Sequence, residues 1–370
     1  MIHKQSGFTL IELMVSLALG LIIVASAILL FLTGQRSAAM QQGVAELQDN
    51  ANFGLNYITK DLRLANLNTK KAEINDQVMY GGIVLTSVDS ADVVVDTVEK
   101  PNLPLDITPL ASQLLSQSDD RVAIGTGNQW TGASNVVDAT DLDVDVKSDQ
   151  LVIQYLPQYT ISGTNYNGGF DCEGNAIEFS TTENLRVYVQ RYFLREDDNK
   201  ADSEDSPLSL ACDSGYYAIG EFHGEIPAVT PGGVATPATI PASAPTSITG
   251  FGGAGEILIK RVDHFRVLLG VQGPDTESTA SGPVTTTKHH YVSIRDYMAM
   301  DAPRPRILSV QVGLLVRSTQ SVGTESAVKD DQEFAILDQT VRVKTSSDPK
   351  YIRQVVSQTV ALRNALGERE

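Results

Sequence analysis

From Phe8 to Leu32 the chain reads FTLIELMVSLALGLIIVASAILLFL, twenty-five residues with a single ionisable group, Glu12. A run of that length is sufficient to cross a bilayer as one helix, which satisfies its own backbone hydrogen bonds in lipid. A cleaved secretory signal is the rival reading, because Lys4 supplies a positive flank and Ala25-Ser26-Ala27 matches an A-x-A cleavage pattern. It fits poorly. A signal's apolar region is about 7–15 residues long and is cut in a polar context, whereas here the run continues through Ile28 to Leu32. A mean hydropathy of -0.07 leaves room for no more than one or two spans, which excludes a multi-pass transporter.

The next segment continues the helix. None of the fifteen prolines precedes Pro101, and Val44, Leu47, Ala51, Leu55, Ile58, Leu62 and Ala65 recur at spacings of three and four. That spacing places them on one stripe. Joined to the apolar run, the stripe predicts a nearly continuous helix of about 60 residues, roughly 90 Å long. Gly20, Gly34, Gly43 and Gly54 are its weak points, since Gly costs about 1 kcal/mol relative to Ala in a helix interior. By periodicity alone this is a membrane anchor extended by a helix packed on its own domain.

The residues around the start of the apolar run narrow that reading. Gln5-Ser6-Gly7 followed by Phe8-Thr9-Leu10-Ile11-Glu12-Leu13 resembles the type IV prepilin signature: a short basic leader ending in Gly, then Phe, then a Glu four residues further on inside an apolar helix. The resemblance implies that prepilin peptidase cuts after Gly7 and N-methylates Phe8, leaving the apolar helix in the mature protein. A carboxylate within a membrane segment is costly and is read as functional. For Glu12 the expected partner is the new amine of Phe8 on a neighbouring subunit shifted along the fibre, which favours a staggered register. Snorkelling of Glu12 to the headgroups is the plain alternative.

Beyond Leu67 the period falls to two. Gly82 to Leu85, Asp92 to Val98, Leu151 to Tyr155, Leu185 to Leu194, Arg306 to Val316 and Tyr351 to Leu362 read as strands, the last irregular enough for a bulge or a helical start. The fold class is therefore α+β: a long N-terminal helix packed on an antiparallel β-sheet head with large loops, which is the pilin-like arrangement. Lys60 to Ala65 is similar to the D-L-R-x-A box of PilW-type minor pilins. Arg306 to Ser318 resembles their late strand ending in L-V-R-S, and Tyr351 to Asn364 their closing strand ending in L-R-N. Asn66 stands where that subgroup usually has Gly or another small residue. The expected organisation is a leader at 1–7, an assembly helix at 8–32, its amphipathic continuation at 33–67 and an exported head at 68–370. Within the head, the uncharged Pro- and Gly-rich stretch 227–255 reads as an exposed insertion, followed at Ile257 to Val271 by a return to the same sheet.

Residues 1–67 hold four basic and four acidic groups, so the net charge of -17 belongs to the head. That balance opposes a bulk electrostatic grip on nucleic acid. The acidic run Glu196 to Asp205 lies between the two cysteines and reads as a protruding loop. Export of the head makes a Cys172–Cys212 disulfide the expectation and two buried free thiols the alternative.

Catalytic and cofactor signatures are weak. Gly250 to Gly255 satisfies G-x-G-x-x-G but follows a Pro-rich loop, so it reads as a flexible loop end. His289-His290, His264 and His223 lack ligand spacing. Asp141, Asp143 and Asp145 read as one solvated face of a strand, with calcium binding as the alternative. No enzyme activity and no cofactor are expected. The function expected is that of a minor pilin in a tip or priming complex supporting twitching, attachment or DNA uptake. Its partners would be prepilin peptidase, the major pilin and other minor pilins. It would reside in the inner membrane before assembly and in the fibre afterwards. The alternatives are a type II secretion pseudopilin and a pilus-tip adhesin.

Overall fold

The structure, a computed structural model, describes residues 9–69, 71–87, 101–104, 107, 110–119, 121–200, 204, 207–219, 247–279, 282–321, 329, 331–344 and 351–366. Helix α1 runs from Leu10 to Leu62, 53 residues and about 80 Å. The head follows as β1 (Val136–Asp138), β2 (Leu151–Tyr155), β3 (Thr160–Ser162), β4 (Asn165–Phe170), β5 (Ala176–Ser180), β6 (Arg186–Glu196), β7 (Leu208–Ala218), β8 (Glu256–Ile259), β9 (Val262–Thr279), β10 (Gly282–Ser293), α2 (Ile294–Ala299), β11 (Arg306–Arg317), β12 (Glu333–Ile336), β13 (Gln339–Val343) and β14 (Arg353–Ala361).

Two four-stranded antiparallel sheets form the body, in the orders β2-β6-β7-β8 and β10-β9-β11-β14. Two three-stranded sheets, β1-β13-β12 and β3-β4-β5, flank them. Helix α1 covers both main sheets. Its buried stripe Leu47, Ala51, Leu55, Ile58 and Leu62 shares one core with Ile153, Tyr192, Leu210 and Ile259 of the first sheet and with Val310, Val312, Leu314 and Val360 of the second. The reverse side of the first sheet carries a second core around Val152, Tyr188 and Tyr217, and β12 and β13 close a third over Leu315.

The strands read from periodicity are largely present. Leu151–Tyr155 is β2 with the same ends, and β6 and β11 overlap their expected runs closely. Gly82 to Leu85 supplies only a bridge from Ile83 to Ile153. Asp92 to Val98 lies outside the described residues. In the last run there is no bulge: β14 pairs with β11 without a shift from Ser309↔Ala361 to Arg317↔Arg353. Its mixed pattern arises because Val356 meets the helix core while Val355 meets the third cluster, so both faces take apolar side chains.

Three expectations are corrected. Ile257 to Val271 does not return to one sheet: the chain turns at Arg261, φ +58°, so that β8 pairs with β7 and β9 enters the second sheet. Asp141 and Asp143 sit in a turn and not on a strand. There the Asp138 carboxylate accepts from the Thr140 and Asp141 N–H groups, the local competition with extended structure typical of Asp. The glycine stretch at 250–255 is fixed, not free: Gly252 and Gly253 donate to Asp213, and the Gly253 carbonyl accepts from Arg191.

The helix is unbroken at all four glycines. Nothing lies within 4 Å of a Cβ built on Gly20 or Gly34, whereas one on Gly54 would sit 2.0 Å from Ile259 Cγ1. Gly54 therefore marks a close approach between α1 and β8. Gly54→Ala is expected to lower the stability of the full chain by about 1–3 kcal/mol despite the better helix propensity of Ala, and Gly34→Ala is expected not to lower it. Thermal unfolding in detergent distinguishes the two.

Candidate assembly site

The N-terminal end of α1 is built by three residues. Thr9 is the N-cap, in extended conformation, and its Oγ1 accepts from the Glu12 N–H at 3.2 Å. Glu12 returns the contact, its Oε2 accepting from the Thr9 N–H and Oγ1–H, both at 3.0 Å. This reciprocal capping box satisfies two N–H groups that a helix start otherwise leaves open. The pattern T-x-x-E was present in the sequence as its signal. Within the single chain, Glu12 is thus engaged by its own helix. Gly7 and Phe8 lie outside the described residues.

From Leu10 to Leu32 the helix has no protein cover. Its large apolar side chains are exposed, from 43% at Leu32 to 76% at Leu10. Among the described residues it is the one helix long and apolar enough to cross a membrane. Cover begins at Gly43, which faces Ser318 and Ile352, and continues to the helix end. The two halves of α1 are therefore made for different surroundings.

The helix end joins the segments that the sequence set 300 residues apart. Asn364 Nδ2 donates to the carbonyls of Arg63 and Ala65 at 3.0 and 3.1 Å, and Asn66 Nδ2 donates back to the Asn364 carbonyl at 3.0 Å. Carbonyls of the last helical turn have no partner within the helix, so Asn364 acts as a cap supplied from the far end of the chain. Asn66 has φ +64°, the left-handed conformation at a helix exit that Gly usually occupies and Asn tolerates. Arg306 at the start of β11 donates to the Ala365 carbonyl, which fixes the same corner from the second sheet.

Cys172 and Cys212 form a disulfide, Cα–Cα 6.1 Å, linking the segment before β5 to β7. Beside it the Tyr57 hydroxyl on α1 reaches the Asp171 carbonyl at 3.4 Å. The acidic run is not all solvated. Asp197 and Glu204 are buried against Arg261, and Glu204 also takes Arg317, whose ring neighbour is Tyr351. Asp263 bridges Arg317 and Arg353 in the same group. Three guanidinium groups and three carboxylates balance, which is what permits their burial.

The histidines lie in different surroundings. His264 is buried between Ser148 Oγ and Gln339 Oε1, and burial pushes it down to about 4, so it is neutral at physiological pH. His289 and His290 are exposed on β10, and His223 lies outside the described residues. No group of three or more His, Cys, Asp and Glu side chains converges among the described residues.

Residues 2–28 match the prokaryotic N-terminal methylation motif, and residues 230–364 match the family model described as Type IV Pilus-assembly protein W. The second match ends at Asn364, the residue that caps α1. No curated protein matches the chain. A solved type IV-like pilin from Thermus thermophilus is similar over 59% of this chain and 78% of its own, with 12% identity and a TM-score of 0.22. The match over 230–364 accords with the resemblance to PilW-type pilins and the match over 2–28 with the prepilin leader, and together they support a pilin-type role among other pilins and the pilus machinery. Families of this kind are in general structural and not enzymatic. The methylation motif and the bare apolar helix anchor the chain in the inner membrane, and the pilus-assembly match fits a fibre.

Asn364→Ala, which leaves two helix-end carbonyls without their donor, is expected to destabilise the chain by about 1–3 kcal/mol. At position 66, Gly is expected to be better tolerated than Ala by about 1–2 kcal/mol, because only Ala is strained at this φ. Replacing both cysteines with Ser removes a constraint worth about 4 kcal/mol on the chain-entropy account. Denaturant unfolding of the full chain reads all three.

Proposed function

We propose that this chain is a minor pilin: cut after Gly7 and methylated at Phe8 by prepilin peptidase, held in the inner membrane by residues 8–32, and packed by that same helix into a type IV pilus. The observation that carries the reading is the division of α1, with one stripe from Gly43 to Leu62 buried in the head and Leu10 to Leu32 bare. A helix with that much exposed apolar surface needs lipid before assembly and neighbouring helices afterwards. Phe53, 73% exposed on the docked half, extends the surface open to other subunits.

A head of about 300 residues is large for a repeating shaft subunit, which favours a tip position and a priming role with other minor pilins. Glu12 then has two successive partners. In the free subunit it closes the capping box with Thr9, and in the fibre it pairs with the Phe8 amine of a neighbouring subunit. The exchange is between groups at one helix end and needs no change in the head.

Glu12→Gln keeps a side-chain acceptor for the capping box and removes the charge. It is expected to leave membrane levels unchanged and to lower the amount of this chain in sheared surface fibres by about tenfold or more, the effect of losing roughly 1.4 kcal/mol of pairing. Undiminished incorporation would remove the assembly role of Glu12. Deleting the whole chain is expected to abolish or strongly reduce surface piliation, and normal piliation would contradict the priming role.

A further inference from the structure

We propose that α1 seals the Cys172–Cys212 disulfide, so that the bond is made before the helix docks and exchanges with external thiols only when the helix lifts. The two cysteines are 2% and 0% exposed and belong to the core that the α1 stripe covers. Cys212 stands on β7, in register with Tyr192 of β6 on one side and Glu256 of β8 on the other. Side chains two apart on a strand share a face, so Leu210 and Cys212 both point into that core.

One stretch of α1 touches every neighbour of the bond. Gly54 meets Ile259 of β8, which pairs with Leu210 two residues before Cys212. Asp61 accepts from Tyr192 Oη at 2.8 Å, directly beside Cys212. The Tyr57 hydroxyl reaches the carbonyl of Asp171, the residue before Cys172. Gly54, Ile58 and Asp61 recur at spacings of four and three, one face of the helix, and Ile58 is fully buried in the same core as both sulfurs. The turns from Gly54 to Asp61 therefore span the disulfide from β8 to β6.

Exchange requires an incoming thiolate to bond to one sulfur while the other leaves as a thiolate. With an external dithiol, the second thiol then closes the reagent's own disulfide, and two protons and two electrons pass to Cys172 and Cys212. Closure of the bond is the reverse, with an external disulfide accepting them. Both directions need room for a third sulfur, and α1 fills that room on the core side. The other approach is the turn that carries Cys172, held by Asn175 Nδ2 on Asp171 Oδ2 and Glu173 Oε2 and by the Ser214 N–H on Glu173 Oε1. The order of closure before docking concerns the fold and does not depend on how the chain is used.

The test incubates the full chain in detergent with dithiothreitol and reads free cysteines by alkylation and mass. Trp130, the chain's one tryptophan, is buried outside the α1 core with its Nε1 on the Ser148 carbonyl, so its fluorescence reports the body of the head. Reduction is expected while that fluorescence stays native, at a rate that climbs with urea less steeply than unfolding seen at Trp130. Gly54→Ala, which pushes the helix off Ile259, is expected to speed reduction about tenfold and the milder Ile58→Val about threefold. Asn175→Ala, which loosens the turn, is expected to change it by less than about twofold. Where Gly54→Ala fails to fold, Ile58→Val carries the same reading. A rate that follows Trp130 unfolding at every urea concentration would overturn the proposal, because the route would then be opening of the whole head. So would Asn175→Ala speeding reduction as much as the α1 variants do, since the entrance would then be the turn.

Discussion

One helix has to be stable in two surroundings, and the rest of the molecule follows from how that is done. The stripe from Leu47 to Leu62 is a common cover of both main sheets and shares one core with them. Burying a Leu or Ile side chain contributes about 1.5–3 kcal/mol, so four of them supply a gross term as large as the net stability of an ordinary domain. The other half of α1 contributes nothing to the head. It is free to belong to the membrane or to a fibre without cost to the fold.

Such a helix acts as a lever, and the joint where it ends has to be rigid. The chain solves this by bringing its own far end back: β14 runs along the second sheet beside α1, and the residues after it deliver Asn364 onto the carbonyls of Arg63 and Ala65. The helix-end box and the closing L-R-N segment are two parts of one structural unit. Asp61 with Tyr192 and the disulfide beside Tyr57 fasten the docked half of α1 near this end, and the balanced cluster of Arg261, Arg317 and Arg353 lies at the opposite end of β11 and β14.

The helix, its stripe and the β character of the head were legible in the sequence because they rest on short-range periodicity. Asn66 was visible as an anomaly, but its reason is a backbone angle that only the structure displays. The division of Ile257 to Val271 between two sheets depends on a single left-handed residue, Arg261, of a type that gives no turn signal. Asp197 and Glu204 looked like solvent-exposed charge because their partners are at least 57 residues away in the chain. The capping box of Thr9 and Glu12 was readable by pattern and was masked by the stronger leader motif that shares both residues.

The central claim is that the apolar half of α1 stays in the mature protein as the working end of a rod whose other half carries the head. The intact mass and N-terminal peptide of the chain recovered from its native membrane test it most directly. The account predicts a protein that begins at Phe8 and carries one added methyl group on that amine. A mature chain beginning at Ile28, with the apolar segment removed after Ala27, would contradict it.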